Sequence, residues 1–261
     1  MIRFLLVLCG LISFAASATV SADSAVVSNL SATQIIDKNV AARGGLKAWQ
    51  AVSSLTMSGQ LEAGGKKNTP LPFVMQMKRP YKSRLEIKFQ DQTAIQVYDG
   101  VQGWKVRPFL NRNEVEPYTP AEAKAATDWQ ELDGPLVDYA KKGTKVELQK
   151  VEAVEGHQAY KLKLGLKNGE VRYVWIDATS FLELKIEGEP RKLDGKFHNV
   201  AIYCRDYKAE NGLIVPHTFE TVVQGDPQSH KMTIEHVTFN QPMADNLFAK
   251  PKLAVAEAAT K

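Results

Sequence analysis

Two cysteines in 261 residues, Cys9 and Cys204, rule out a disulfide framework. Cys9 lies inside an N-terminal apolar run and follows Leu8 rather than a small residue, which disfavours an acylated cysteine there. Cys204 stands among the alternating residues Val200-Ala201-Ile202-Tyr203 and reads as a small buried hydrophobe rather than a catalytic thiol. After the N-terminus no stretch approaches the ~20 uninterrupted apolar residues of a transmembrane helix, so an integral membrane protein is not expected. There is no phosphate loop, dinucleotide fingerprint, Gly-x-Ser-x-Gly elbow, His-Glu-x-x-His helix or Cys-x-x-Cys pair. Lysine and arginine (33) barely exceed aspartate and glutamate (29) and are interspersed with them, a pattern that excludes a nucleic-acid surface.

What is present begins with a targeting signal. Arg3, the apolar run Phe4 to Ala16 and the small residues Ala16-Ser17-Ala18 predict a cleaved secretory signal over 1–18, with 22 as the alternative end, and hence a periplasmic protein. About 240 residues remain, and no linker divides them, so 19–249 is expected to be one domain and 250–261 a disordered tail. Ser31 is the expected N-cap of a helix carrying Ile35, Ile36 and Val40 and stopping at Gly44-Gly45. A short helical turn from Leu46 to Val52 follows.

From Leu55 the apolar period changes to two, as half-buried strands require. Gly64-Gly65, Arg79-Pro80, Gln90-Asp91 and Asp99-Gly100 punctuate the first half, and Glu155-Gly156, Asn168-Gly169, Asn211-Gly212 and Gln224-Gly225 the second. Between the halves, Pro120 to Gln130 predicts a helix, and Leu136 to Tyr139 an irregular helical continuation. The fold class is therefore mainly β (α+β): a strongly curved antiparallel sheet of about 11 strands, forming an open or half β-barrel. Too few helical residues exist to cover its apolar face, so helices plug or lid an apolar cavity.

The candidate lining of that cavity is the apolar set of the first half: Trp49, Phe73, Met75, Met77, Leu85, Ile87, Phe89, Ile95, Val97, Trp104 and Val106; within this half Phe73, Met75, Met77, Phe89, Trp104 and Phe109 fall on or near one set of alternating positions. Methionine suits a surface that must accept variable apolar shapes, although an ordinary sheet core gives the same pattern. The five histidines are dispersed. His230 and His236 share a face but stand about 20 Å apart at ~3.3 Å per residue, too far for one metal. Asp99 and Asp133 are explained by turn roles. No catalytic residue, metal site or cofactor is predicted.

The segments Met77-Lys78-Arg79-Pro80-Tyr81 and Tyr98-Asp99-Gly100 through Gly103-Trp104 to Arg107-Pro108-Phe109 resemble the LolA-like outer-membrane lipoprotein-sorting carriers. The chain departs from that family in having Arg107 where Asn is usual, in its Gly44 to Trp49 segment and in its Asp133 to Tyr139 stretch, as in a less characterised branch. The resemblance implies an open barrel with helices lidding a cavity for lipoprotein acyl chains. It also implies that Arg79 is a lid latch, whose guanidinium satisfies lid carbonyls and holds the empty carrier closed. The expected function is a non-enzymatic periplasmic carrier for an acyl chain or lipid, with an envelope protein as donor or acceptor. The alternative is an envelope sensor or interaction module that retains a protein partner.

Overall fold

The computed structural model describes residues 29–62, 64, 69–129 and 131–252; the signal segment and most of the tail lie outside them. Helix α1 (Ala32–Ala42) starts where expected: Ser31 accepts from the Gln34 amide at 3.2 Å, and the Gln34 side chain accepts from the Ser31 amide at 2.9 Å, a reciprocal cap. Its Ile35, Ile36 and Val40 are buried. The chain then turns through Gly44 at φ +107°, where a Cβ would sit 2.5 Å from the Gly212 carbonyl oxygen; only glycine permits that approach. Helix α2 (Leu46–Gln50) follows.

Strands β1 (Ser54–Glu62), β2 (Leu71–Lys78), β3 (Lys82–Phe89), β4 (Gln92–Tyr98), β5 (Gly103–Arg107) and β6 (Arg112–Pro117) form the first half of the sheet. Helix α3 (Pro120–Trp129) and an irregular strap, residues 131–144, then cross to the second half. That half holds β7 (Lys145–Val154), β8 (His157–Gly165), β9 (Val171–Asp177), β10 (Glu183–Leu193), β11 (Lys196–Glu210), β12 (Leu213–Val223) and β13 (Ser229–Phe239). All thirteen strands join one antiparallel sheet in the order β6-β5-β4-β3-β2-β1-β13-β12-β11-β10-β9-β8-β7. Each half is a meander, and the pairing of β1 with β13 welds the two. The sheet is curved and unclosed, as expected of so many twisted strands, since open sheets beyond about ten strands curl.

Two expectations are corrected. The strand count among the described residues is 13 rather than about 11; β6 is one strand the apolar pattern misses, since it carries only one apolar residue, Val115, and shows no alternation. Leu136 to Tyr139 forms turns, not a helical continuation; its two buried residues, Leu136 and Val137, are adjacent and anchor the strap into the core.

The helices and strap lie on one face, the inner one. There Ile35, Ile36, Trp49, Leu132, Leu136 and Val137 meet Leu55, Met77, Leu162, Leu164, Val174, Ile176, Val215 and Phe239 in a single core. Trp49 stands edge-on to Phe239 at 6.2 Å. Helix α3 is fixed to the same face by an ion pair from buried Lys105 to Glu122. On the outer face, residues 241–248 strap β1 to β3: Ser54 donates to the Gln241 carbonyl, Lys78 to that of Met243 and Arg84 to that of Leu247.

Candidate functional site

Three cations converge on Asp133 of the strap, Arg79 and Arg43 from outside it and Lys142 from its own far end. Arg79, in the β2–β3 turn, donates to Asp133 Oδ2 at 2.7 Å, while Lys142 reaches Oδ1 at 2.8 Å. Arg43, capping α1, donates to the Asp133 carbonyl at 3.1 Å. Arg43 also pairs with buried Glu183 at 3.1 Å and lies 4.6 Å over the Trp49 ring. Arg79 further donates to the carbonyls of Val52 (2.7 Å) and Trp49 (3.3 Å), joining α2, the β2–β3 turn and the strap. Asp133 does lie in a turn, which the Gly134 amide closes on the Glu131 carbonyl at 2.8 Å, and it is also a buried ion-cluster anchor with partners 54 and 90 positions away.

Beneath the strap lies a cavity of about 500 Å³, within the range of small-molecule sites. Leu164, Leu166, Val174 and Ile186, from β8 to β10 and the β8–β9 turn, and Pro135 of the strap supply its apolar wall. Tyr81, Glu131, Lys142, Thr144, Lys167 and Arg172 supply polar groups at its margin. Tyr81, Glu131 and Lys142 also line a smaller space of about 120 Å³ that reaches Arg79, so the ion cluster borders the cavity. Burial raises the Glu131 carboxyl above its ordinary value, although Lys142 at 2.6 Å opposes the shift.

The candidate lining residues do not meet in this cavity. Register divides them between the two faces. Phe73 pairs with Ile87, Met75 with Leu85 and Met77 with Ser83, which places Phe73, Met75, Met77, Leu85 and Ile87 inside. Gln90 and Asp91 form a two-residue turn, so Ile95 pairs with Glu86 and Val97 with Arg84, on the outer face. Val106 and Trp104 lie opposite Ile95 and Val97 and share that outer face. Trp49 and Met77 are core residues beside the strap. Phe89 is 40% exposed at the end of β3, edge-on to Phe109. The single-face reading fails because the turn length, not the apolar spacing within each strand, decides which faces match.

The wall residues from β8 to β10 escaped sequence reasoning although their strands were predicted; Leu162-Leu164-Leu166 is an alternating run as clear as any in the first half. Of the other singled-out residues, Cys204 is buried, and desolvation pushes its thiol up to about 12, which suits a structural role. His217 is buried against the Ile234 carbonyl at 2.9 Å. No cluster of potential metal ligands occurs among the described residues, and none of their helices is long and apolar enough to cross a membrane.

No family model matches the sequence, and no curated protein matches it. Solved structures do match. A LolA superfamily protein from Nitrosomonas europaea aligns with a TM-score of 0.55 at 12% identity, covering 85% of this chain and 98% of its own. A candidate outer-membrane lipoprotein-sorting domain from Vibrio parahaemolyticus gives 0.52 at 16%, covering 83% and 95%. A DUF1329 family protein from Desulfovibrio piger gives 0.55 at 13%, covering 84% and 97%. The thirteen-stranded open sheet with its inner helices is therefore similar in fold to these three structures over more than four fifths of the chain.

Proposed function

We propose that the protein is a periplasmic carrier that holds an acyl chain or similar lipid moiety in the cavity beneath the strap and exchanges it with an envelope donor or acceptor. One observation carries the reading: an apolar-walled, partly open space of about 500 Å³ is bordered by a segment of turns that Arg79 ties to the β2–β3 turn and that Leu136 and Val137 anchor in the core. A hydrocarbon tail gains on the order of 0.8 kcal/mol per buried CH₂, so a chain of ordinary length binds there without covalent chemistry. The periplasmic location rests on the N-terminal pattern of 1–18. Arg79 is the proposed latch, because its guanidinium ties α2 to the strap through Trp49, Val52 and Asp133.

Native mass spectrometry of gently purified protein, paired with displacement of a neutral fluorescent probe by long-chain fatty acids and lysophospholipids, tests the reading. Copurified lipid, or saturable displacement, is expected. Empty protein in every preparation together with no displacement would overturn it.

A further inference from the structure

The β10–β11 hairpin continues beyond the sheet that supports it. Pairing of β10 with β9 ends at Ile186–Val174, and that of β11 with β12 begins at Val200–Val223. Beyond these points Arg191 pairs with His198, Lys192 with Phe197 and Leu193 with Lys196, and the tip turns through Asp194 (φ +48°) and Gly195 (φ +81°). Residues 191–198 therefore have strand partners only in one another. A lone two-stranded ribbon is marginal in water and gains nothing by displaying a large apolar ring. Yet Phe197 is 76% exposed.

Lys192 stands directly opposite Phe197 on the same face of the ribbon, and Arg191 and Lys196 flank it from the other face; all three are exposed and without an ion-pair partner among the described residues. Asp194 is the only acid of the tip, and nearby Glu189 is engaged by Arg172. The same rim of the sheet, at the β3–β4 and β5–β6 turns, exposes Phe89 (40%), Phe109 (37%) and Leu110 (62%). Aromatic rings settle at the headgroup level of bilayers, and basic side chains beside them meet anionic headgroups.

We infer that this hairpin docks the protein onto an anionic lipid surface, with Phe197 entering the headgroup region and Arg191, Lys192 and Lys196 binding the lipid phosphates. Ile186 and Glu187, farther back on β10, line the cavity, so docking at the tip sets the cavity wall about 20 Å from the bilayer at ~3.3 Å per residue. The inference does not depend on what the cavity holds.

Flotation of the mature chain with vesicles of mixed phosphatidylglycerol and phosphatidylcholine, against phosphatidylcholine alone, tests it. Binding to the anionic vesicles, lost in high salt, is expected. Each basic side chain near such a surface is worth roughly fivefold, so the triple variant Arg191→Gln, Lys192→Gln, Lys196→Gln should weaken binding by roughly a hundredfold. Phe197→Ser should weaken it by roughly fivefold. Val101→Ser, which alters an 80% exposed residue on the opposite rim, should change nothing. Circular dichroism and urea midpoints of all variants should match the parent. No flotation with anionic vesicles, equal flotation with neutral ones, or hairpin variants that bind as the parent does would overturn the inference, as would capture of an acidic envelope protein without vesicle binding.

Discussion

Arg79 and Asp133 form a 2.7 Å ion pair whose two ends differ in environment: the arginine side chain is 38% exposed, the aspartate 4%. The aspartate also holds Lys142, whereas the arginine can turn to water if released. The pair is consequently asymmetric in what its loss costs. Removing the buried acceptor takes the shared partner from Arg79 and Lys142, although Lys142 keeps Glu131 at 2.6 Å, while removing the exposed donor leaves Asp133 still compensated by Lys142.

Asp133→Ala should therefore cost about 2–3 kcal/mol in urea unfolding, and Arg79→Leu about 1 kcal/mol. Stopped-flow release of a bound fatty-acid probe should nonetheless be faster in Arg79→Leu than in the parent. A reversed order of stabilities would show that Asp133 is not the anchor, and unchanged release would remove Arg79 from the latch.

Glu131 gives the strap a pH dependence of known sign. Its folded-state value is raised by burial, so the native protein keeps this proton after the unfolded chain has released it. The contribution to stability is fully present below the ordinary carboxylate value and is lost as pH rises through the folded one. The urea midpoint of Glu131→Gln relative to the parent should rise as the pH is raised above the ordinary carboxylate range and be flat below it. A difference that falls with pH would contradict the assignment.

Face assignment is tested by a pair of substitutions. Ile186→Trp fills the cavity wall and should weaken fatty-acid displacement by roughly tenfold, since the space can take the ring with little repacking. Trp104→Leu, on the outer face, should leave displacement unchanged. Equal losses in both would mean that the ligand lies elsewhere.

Gly59 sits at the bulge where β1 meets β13, and a Cβ there would lie 2.0 Å from the Thr233 carbonyl oxygen. Because that neighbour is backbone, Gly59→Ala should lower the unfolding free energy by about 2–3 kcal/mol in thermal or urea denaturation. Near-parental stability would mean that the weld between the two halves can shift at little cost.

The sequence announced its turns far better than its long-range contacts. At Asp99-Gly100 the chemistry is local: Asp99 Oδ1 accepts from the amides of Val101 and Gln102, both at 2.8 Å, so two neighbouring letters suffice to find the hairpin. The capped α1 and the Pro120 helix start were legible for the same reason. β6 was not, because an edge strand of Arg112, Asn113, Glu114 and Glu116 carries no apolar period. The division of Ile87 and Ile95 between faces could have been found, since a two-residue loop at Gln90-Asp91 fixes the pairing sum and sends odd positions of β3 opposite even positions of β4. The anchor at Asp133 had no such local sign. Its partners come from α1, the β2–β3 turn and the strap itself, and only the closed chain brings them together.

A half barrel keeps two raw margins, β6 and β7, each with a row of main-chain donors and acceptors that no strand among the described residues takes up. Along β6 stand Arg112, Asn113, Glu114 and Pro117, and along β7 Lys145, Glu147, Gln149 and Lys150, all turned to solvent. Charge and proline at such margins discourage another molecule from extending the ladder. The gap can thus stay open in a concentrated compartment without seeding fibrils.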